Sequence, residues 1–194
     1  MPSKSRNKWK KIWHFIWKED SPLSWIINII LAFVIVKFLI FPGLGFILNT
    51  SHPVVAVVSS SMEHNGNFDD WWGSYGNWYK ENGFKKEDVK NWIFSNGFNK
   101  GDIIILKGAN IENIKNGDVI VFKKGSRAPI IHRVVKIYTE NNTKYITTKG
   151  DNGATNPAPR SDETKISNDE IIGKAAFRIP FLGWIKIIFV SLFK

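Results

Sequence analysis

No cysteine occurs anywhere in the 194 residues, so disulfides and thiolate metal sites are excluded and the redox compartment leaves no mark in cysteine usage. Histidine is scarce. His14, His52, His64 and His132 lie scattered without metal-ligand spacing, which argues against a zinc site, and nothing else in the chain implies a cofactor. Lysine and arginine are missing between Lys37 and Lys80, and no A-x-A-like cleavage site follows the first apolar run. What the chain does have is aromatic and basic: nine Trp, fourteen Phe and a net charge of +10. That balance suits a polyanion, either nucleic acid or an anionic membrane surface. No recognisable nucleic-acid motif accompanies the lysines, so the expected partner is the bilayer and not nucleic acid.

Residues 25–48 read WIINIILAFVIVKFLIFPGLGFIL, long enough to cross about 30 Å of hydrocarbon. Asn28 and Lys37 interrupt the apolar run; Lys37 lies past its midpoint, where its ammonium can reach toward an interface. Pro42 and Gly43 predict that the regular helix ends near Phe41. The alternative is a buried helix of a soluble domain. The flanks favour the membrane. Lys4, Arg6, Lys8, Lys10, Lys11 and Lys18 precede the span, placing the N-terminus in the cytoplasm and the rest outside by the positive-inside rule. Trp9, Trp13 and Trp17, four apart among lysines, predict a short interfacial helix.

After the span come β-branched runs separated by Gly-Asp and Asn turns: residues 53–58, 102–106 and 118–122. IIHRVVKIY and KYITTK flank TENNT, a predicted hairpin over residues 139–143, and residues 171–179 supply a last strand. The continuous run 54–58 suits a strand buried on both faces, and the alternation in HRVVKIY a half-exposed one. The interruption at 65–99 is rich in Gly, Asn and aromatics. It predicts helices over 70–81 and 86–94, the first capped by Asp69 or Asp70. Trp71, Trp72, Trp78 and Trp92 are expected to form the core of this insertion, the alternative being an aromatic surface against lipid or the cleft. The C-terminal PFLGWIKIIFVSLFK is too short to span a bilayer comfortably and is expected to pack on the domain or lie in the interface.

Serine hydroxyls need a base and oxyanion donors to act as nucleophiles. SSSM after a strand is commonplace alone, as is a strand histidine such as His132 or the Gly-Asp turn in TKGDN. Together they give the order Ser, His, Asp in a membrane-tethered domain. SSSME (59–63), GDVIVFKK, PIIHRVV, TTKGDN and the terminal IIGKAAFRIPFLGW resemble, in order and spacing, the conserved boxes of type I signal peptidases. The similarity runs from about Val54 to Trp184, interrupted by the aromatic insertion. The residue before RVV is His132 where the bacterial enzymes have lysine, so the chain resembles the archaeal/endoplasmic-reticulum branch, and the insertion suggests the archaeal type.

The resemblance implies a nucleophile at Ser61, a general base at His132, and an oxyanion donor at Ser59, which lies two residues earlier on the same side of an extended strand. Met62 is expected to frame the cleft floor. Two departures stand out. Ser60 replaces the family's glycine, which would be strained wherever positive φ is required. Asn156 and Pro157 occupy the slot of a second acid, leaving Asp151, or alternatively Asp162, to orient His132.

The expected protein is thus mainly β: an antiparallel domain of the signal-peptidase type, tethered by one N-terminal transmembrane helix and carrying a small aromatic-rich helical insertion. The boundaries are a basic tail at 1–22, the span at 23–48, the catalytic domain at 49–180 with its insertion at 65–99, and an apolar end at 181–194. The expected activity is a serine endopeptidase that removes signal peptides from exported preproteins after small residues, single-pass in the cell membrane and near the export translocon. The competing expectation is a tethered β-domain that binds exported segments without cutting.

Overall fold

A computed structural model describes residues 4–126 and 128–192. The chain divides into two units, one up to Ile47 and one from Leu48 onward.

In the first unit, α1 (Lys4–Lys18) precedes α2 (Pro22–Ile35), a π-helical turn (Val36–Ile40) and α3 (Phe41–Leu48). Ser21 caps α2, accepting from Ser24 N–H, with Pro22 at the first helical position where its missing donor costs nothing. The polar interruptions have partners. Ser24 Oγ donates to Phe15 O at 2.9 Å and Asn28 Nδ2 to Ile16 O at 3.0 Å, satisfying carbonyls near the end of α1. The helix does not stop near Phe41. Proline removes the donor that Phe38 C=O would take, and the chain accommodates this by widening the preceding turn, with Phe41 N–H donating to Val36 O. Residues Pro22–Leu48 therefore form one continuous helix of 27 residues and mean hydropathy 2.5, long and apolar enough to cross a membrane.

The second unit is built on a six-stranded antiparallel sheet in the order β1-β2-β6-β3-β4-β5. The strands are β1 (Val54–Ala56), β2 (Ile103–Lys107), β3 (Val119–Phe122), β4 (Ile130–Glu140), β5 (Thr143–Lys149) and β6 (Ile171–Ile179). The strand β3 is buried along its whole length because alternate side chains feed two apolar clusters. Val119 and Val121 join Val57, Met62, Phe98, Ile104, Leu106 and Ala175, whereas Ile120 and Phe122 join Ile111, Ile114, Val134, Ile146 and Ile166. The β4–β5 hairpin turns on Asn141 and Asn142 alone, both left-handed (φ 49° and 60°), the pair of conformations a two-residue loop between twisted strands needs.

Two strand expectations are corrected. The short β1 lies at the sheet edge and is only half-buried, since one flank faces a cleft and not another strand. Residues 132–135 of β4 are buried on both faces, because the insertion covers the side expected to meet solvent: Val135 joins the cluster of Phe68, Trp71, Trp72, Tyr79 and Val89. A bulge at Val135, between the pairs Val134↔Thr148 and Lys136↔Thr147, lets strand β4 bend there.

The insertion carries α4 (Phe68–Glu81) and α5 (Lys86–Lys90), the second shorter than expected. The cap of α4 is Asn67, whose Oδ1 accepts from Asp69 and Asp70 N–H at 2.8 and 3.0 Å; the two aspartates occupy the first turn, where charge suits the helix dipole. Its aromatics are core, with Trp78 and Trp92 packed against the buried group. After β6 comes α6 (Trp184–Leu192), whose Trp184 ring covers Gly101; a Cβ there would meet the indole at 2.0 Å, at a φ of +92°.

Candidate active site

The serine stretch leaves the sheet immediately after β1. Val57 is still paired with the 101–102 segment (Val57 N–H to Asp102 O and Gly101 N–H to Val57 O, both 2.9 Å), and the chain then turns, Glu63 N–H reaching Ser60 O at 3.1 Å. Asn152, in the turn after β5, fixes this turn from the other side: its N–H donates to Ser61 O at 2.9 Å and its Nδ2 to Ser60 O at 3.0 Å. Gly150 permits the approach, since a Cβ there would sit 2.7 Å from Ser61 O and 2.7 Å from Asn156 Oδ1. Ser60 is not among the residues with positive φ, so its Cβ imposes no backbone strain, and the expected penalty for replacing glycine does not arise.

Ser59 and Ser61 come together, their Oγ atoms 3.2 Å apart. They line a cleft of about 420 Å³ together with Val55, Ala56, Val121, Ile131 and His132. His132, on β4, is almost wholly buried and lines the same cleft as the serines. Met62 is not part of the lining: it is fully buried in the core cluster, and Val121 of that cluster is the member that reaches the cleft.

Neither expected aspartate meets His132. Its Nδ1 lies 2.5 Å from Oε1 of Glu163, an ion-pair contact that is not a well-aligned hydrogen bond. Glu163 ends a short 3-10 turn (Ser161–Glu163) and is completely buried. Its Oε2 accepts from Arg160 N–H at 2.7 Å, while Oε1 also meets Arg160 Nη2 at 3.2 Å and Asn156 Nδ2 at 3.5 Å. Burial alone would raise the Glu163 carboxyl, but His132 and then Arg160 outweigh it and hold it below its ordinary value. Asp162 pairs instead with Arg160 Nε at 3.3 Å.

Asp151 belongs to a separate buried cluster. Arg133 Nε donates to both its oxygens (2.8 and 3.1 Å) and Nη2 to Oδ2 at 2.6 Å. His64 Nε2 stands 3.1 Å from Oδ2, its ring stacked on Trp71 at 4.1 Å, and Tyr79 OH donates to Oδ1 at 3.3 Å. Trp71 Nε1 donates to Asp151 O at 2.8 Å. Burial pushes this carboxyl up; the Arg133 guanidinium and His64 overcome it and hold it well below the usual carboxylate range. Arg133 also donates to the carbonyls of Ile93, Phe94 and Gly117, so one side chain ties the insertion to the turn that holds Ser60 and Ser61. Nearby, burial lowers Lys149 to about 8 despite the pull of Asp151 and Glu163; its ammonium lies over Trp78 and Tyr79 at 5.2 and 5.3 Å.

Arg133, His64 and Glu163 escaped the sequence reading. For Arg133 a signal existed: the residue after His132 on a strand must face the opposite side, and a charge there beside an apolar run needs a partner. Glu163 gave no such signal, because its approach depends on an irregular loop.

No protein-family profile matches the chain. Curated proteins do. The chain is 26% identical over 155 residues to the signal peptidase complex catalytic subunit SEC11 of Colletotrichum graminicola, covering 78% of this chain and 72% of that one. To the SEC11 of Lachancea thermotolerans it is 30% identical over 156 residues, covering 77% and 73%. The chain belongs to the SEC11 family. Membership makes it a signal peptidase catalytic subunit and a serine endopeptidase. A shorter match, 30% over 93 residues, joins it to the human catalytic subunit SEC11C, covering 45% of this chain and 48% of that one. These SEC11 relatives are eukaryotic, which supports the endoplasmic-reticulum half of the expected branch and lends none to the archaeal type.

Proposed function

We propose that this SEC11-family enzyme cleaves signal peptides from exported preproteins with Ser61 as nucleophile and His132 as general base. The observation that carries the reading is a single cleft lined by both residues, with Ser59 Oγ 3.2 Å from Ser61 Oγ. His132 presents Nδ1 to Glu163, which leaves Nε2 for the serine. Ser61 Oγ attacks the scissile carbonyl as His132 takes its proton, and the negative charge of the tetrahedral intermediate falls to Ser61 N–H and Ser59 Oγ. His132 then protonates the leaving amine, which departs as the new N-terminus of the mature protein. Water attacks the remaining acyl-serine by the same route in reverse and frees the signal peptide.

An extended signal-peptide end would lie along the outer flank of β1 as an added strand. Val55, Val121 and Ile131 line the cleft beside the serines, and this apolar lining supports a preference for small residues at the cut. The helix Pro22–Leu48 is the membrane anchor, with the basic N-terminal segment on the cytoplasmic side and the catalytic unit on the other. The anchor lies in a membrane across which proteins are exported, and the SEC11 relatives lend no support to the expected cell membrane in particular; standing near the translocon follows from taking preproteins as they emerge. The two departures from the family boxes lend non-catalytic binding no support, since Ser60 does not sit at positive φ and a carboxylate does meet His132.

The full chain in liposomes should cut a secretory precursor after small residues, and Ser61→Ala and His132→Ala should each fall by about 10³-fold or more. Parental rates in either variant contradict the mechanism.

A further inference from the structure

We propose that Glu163 is the positioning residue of His132, doing here what the sequence assigned to Asp151 or Asp162, and that Arg160 sets how strongly it holds the imidazole. This rests on the Ser61–His132 reading given above.

The three carboxylates are separated by what already holds them. Asp151 has both oxygens occupied by Arg133, with His64 and Tyr79 added, on the face of β4 opposite His132. Asp162 is engaged by Arg160. Glu163 alone of the three stands against the imidazole, at 2.5 Å, and it is held rigidly. The reciprocal bonds of the 3-10 turn tie its Oε2 to Arg160 N–H, so the carboxylate cannot swing away without breaking the turn. A buried carboxylate on Nδ1 fixes the tautomer that leaves an Nε2 lone pair for Ser61, and it stabilises the imidazolium formed when the serine proton arrives.

Arg160 brings a second charge to the same oxygen. Its guanidinium stands 3.2 Å from Oε1, is half exposed, and lines the cleft beside His132. It therefore competes with the imidazolium for the negative charge of Glu163. Among the described residues, the charged groups bearing on His132 are Glu163 and Arg160 from the 160–163 turn, with Lys149 of β5 acting through Glu163. Asp162 offsets part of the Arg160 charge.

The sign of each effect follows. His132 works as the neutral base, so activity climbs with pH as it loses its proton. Glu163 favours the imidazolium; removing its charge moves that climb to lower pH and lowers the plateau. Arg160 opposes the imidazolium; removing it moves the climb to higher pH.

The test measures pH profiles of precursor cleavage by the full chain in liposomes for the parent, Glu163→Gln, Glu163→Asp, Asp162→Asn, Arg160→Gln and His132→Ala. Expected for Glu163→Gln are a kcat loss of about 10²–10⁴-fold with KM little changed and an acid limb displaced to lower pH. Glu163→Asp should recover part of the rate, Asp162→Asn should lose far less than Glu163→Gln, and Arg160→Gln should displace the limb upward. Parental kcat and acid limb in Glu163→Gln, with His132→Ala inactive, overturn the role of Glu163 and leave the Ser61–His132 reading standing. Parental activity in His132→Ala overturns that reading itself. If Glu163→Gln does not fold, Arg160→Gln decides: an upward displacement supports the proposal and an unmoved limb overturns it.

Discussion

Arg133 grips Asp151 through three hydrogen bonds inside the protein, one strand position away from His132 but on the opposite face of β4. The pair is structural in its position and reaches the active site only through the chain: Asp151 precedes Asn152, whose side chain and N–H hold the carbonyls of Ser60 and Ser61.

Removing one partner leaves a buried charge uncompensated, which costs about 3–5 kcal/mol. Asp151→Asn and Arg133→Met should each lower the melting temperature by roughly 10 °C, since about 1 kcal/mol moves a domain of this size by 2–4 °C. Thermal unfolding in detergent checks this. The same melting temperature in both variants and parent would mean that the pair does not hold the domain together.

The lowered carboxyl of Asp151 also fixes a pH dependence. A carboxylate whose folded value lies below its ordinary 3.8 stabilises the fold fully above that value and loses the contribution as pH falls below about 4. The unfolded chain binds the proton first, so stability drops with pH in that window. Urea unfolding of the parent between pH 6 and pH 3 should show the decline, and Asp151→Asn should show a shallower one from a lower starting stability.

Gly150 separates geometry from stability. Its absent Cβ leaves room for Ser61 O and Asn156 Oδ1, so Gly150→Ala must push the serine turn away from Asn152. A displacement of this kind should cost about 10²-fold in kcat. Steady-state cleavage with a circular-dichroism check of folding measures it; unchanged kcat would show that the turn tolerates the shift.

Met62 follows the nucleophile in sequence but lies in the core. Met62→Ala should cost about 2–5 kcal/mol of stability, as cavity-forming substitutions do. At a temperature where the variant stays folded, its KM for precursor should be close to the parent's. A large KM change with little loss of stability would return Met62 to the substrate cleft.

Much of the framework was legible. The β-branched runs located the strands, with 171–179 matching β6 to the residue, because period-two patterns and Gly-Asp turns are local signals. The family boxes marked Ser61 and His132, which the fold brings to one cleft. What stayed hidden depended on distant contacts. Whether strand β4 is exposed turns on the insertion packing against Val135, and whether β1 is covered turns on the cleft at its flank. The partner of His132 was hidden for the same reason: in sequence Glu163 is one acid among several, and only the fold of the 156–163 loop carries it to the imidazole. Pro42 misled in the opposite direction, since a single π-turn suffices to keep a helix going through it.

Three serines in a row leave the identity of the nucleophile as the central claim, and covalent labelling reads it directly. A peptidyl phosphonate ending in alanine, which forms a bond to an activated serine Oγ, is reacted with the full chain in liposomes and the adduct is mapped by mass spectrometry. The account predicts a single adduct on Ser61, lost in His132→Ala. An adduct on Ser59 or Ser60, or labelling of Ser61 that persists undiminished in His132→Ala, would contradict it.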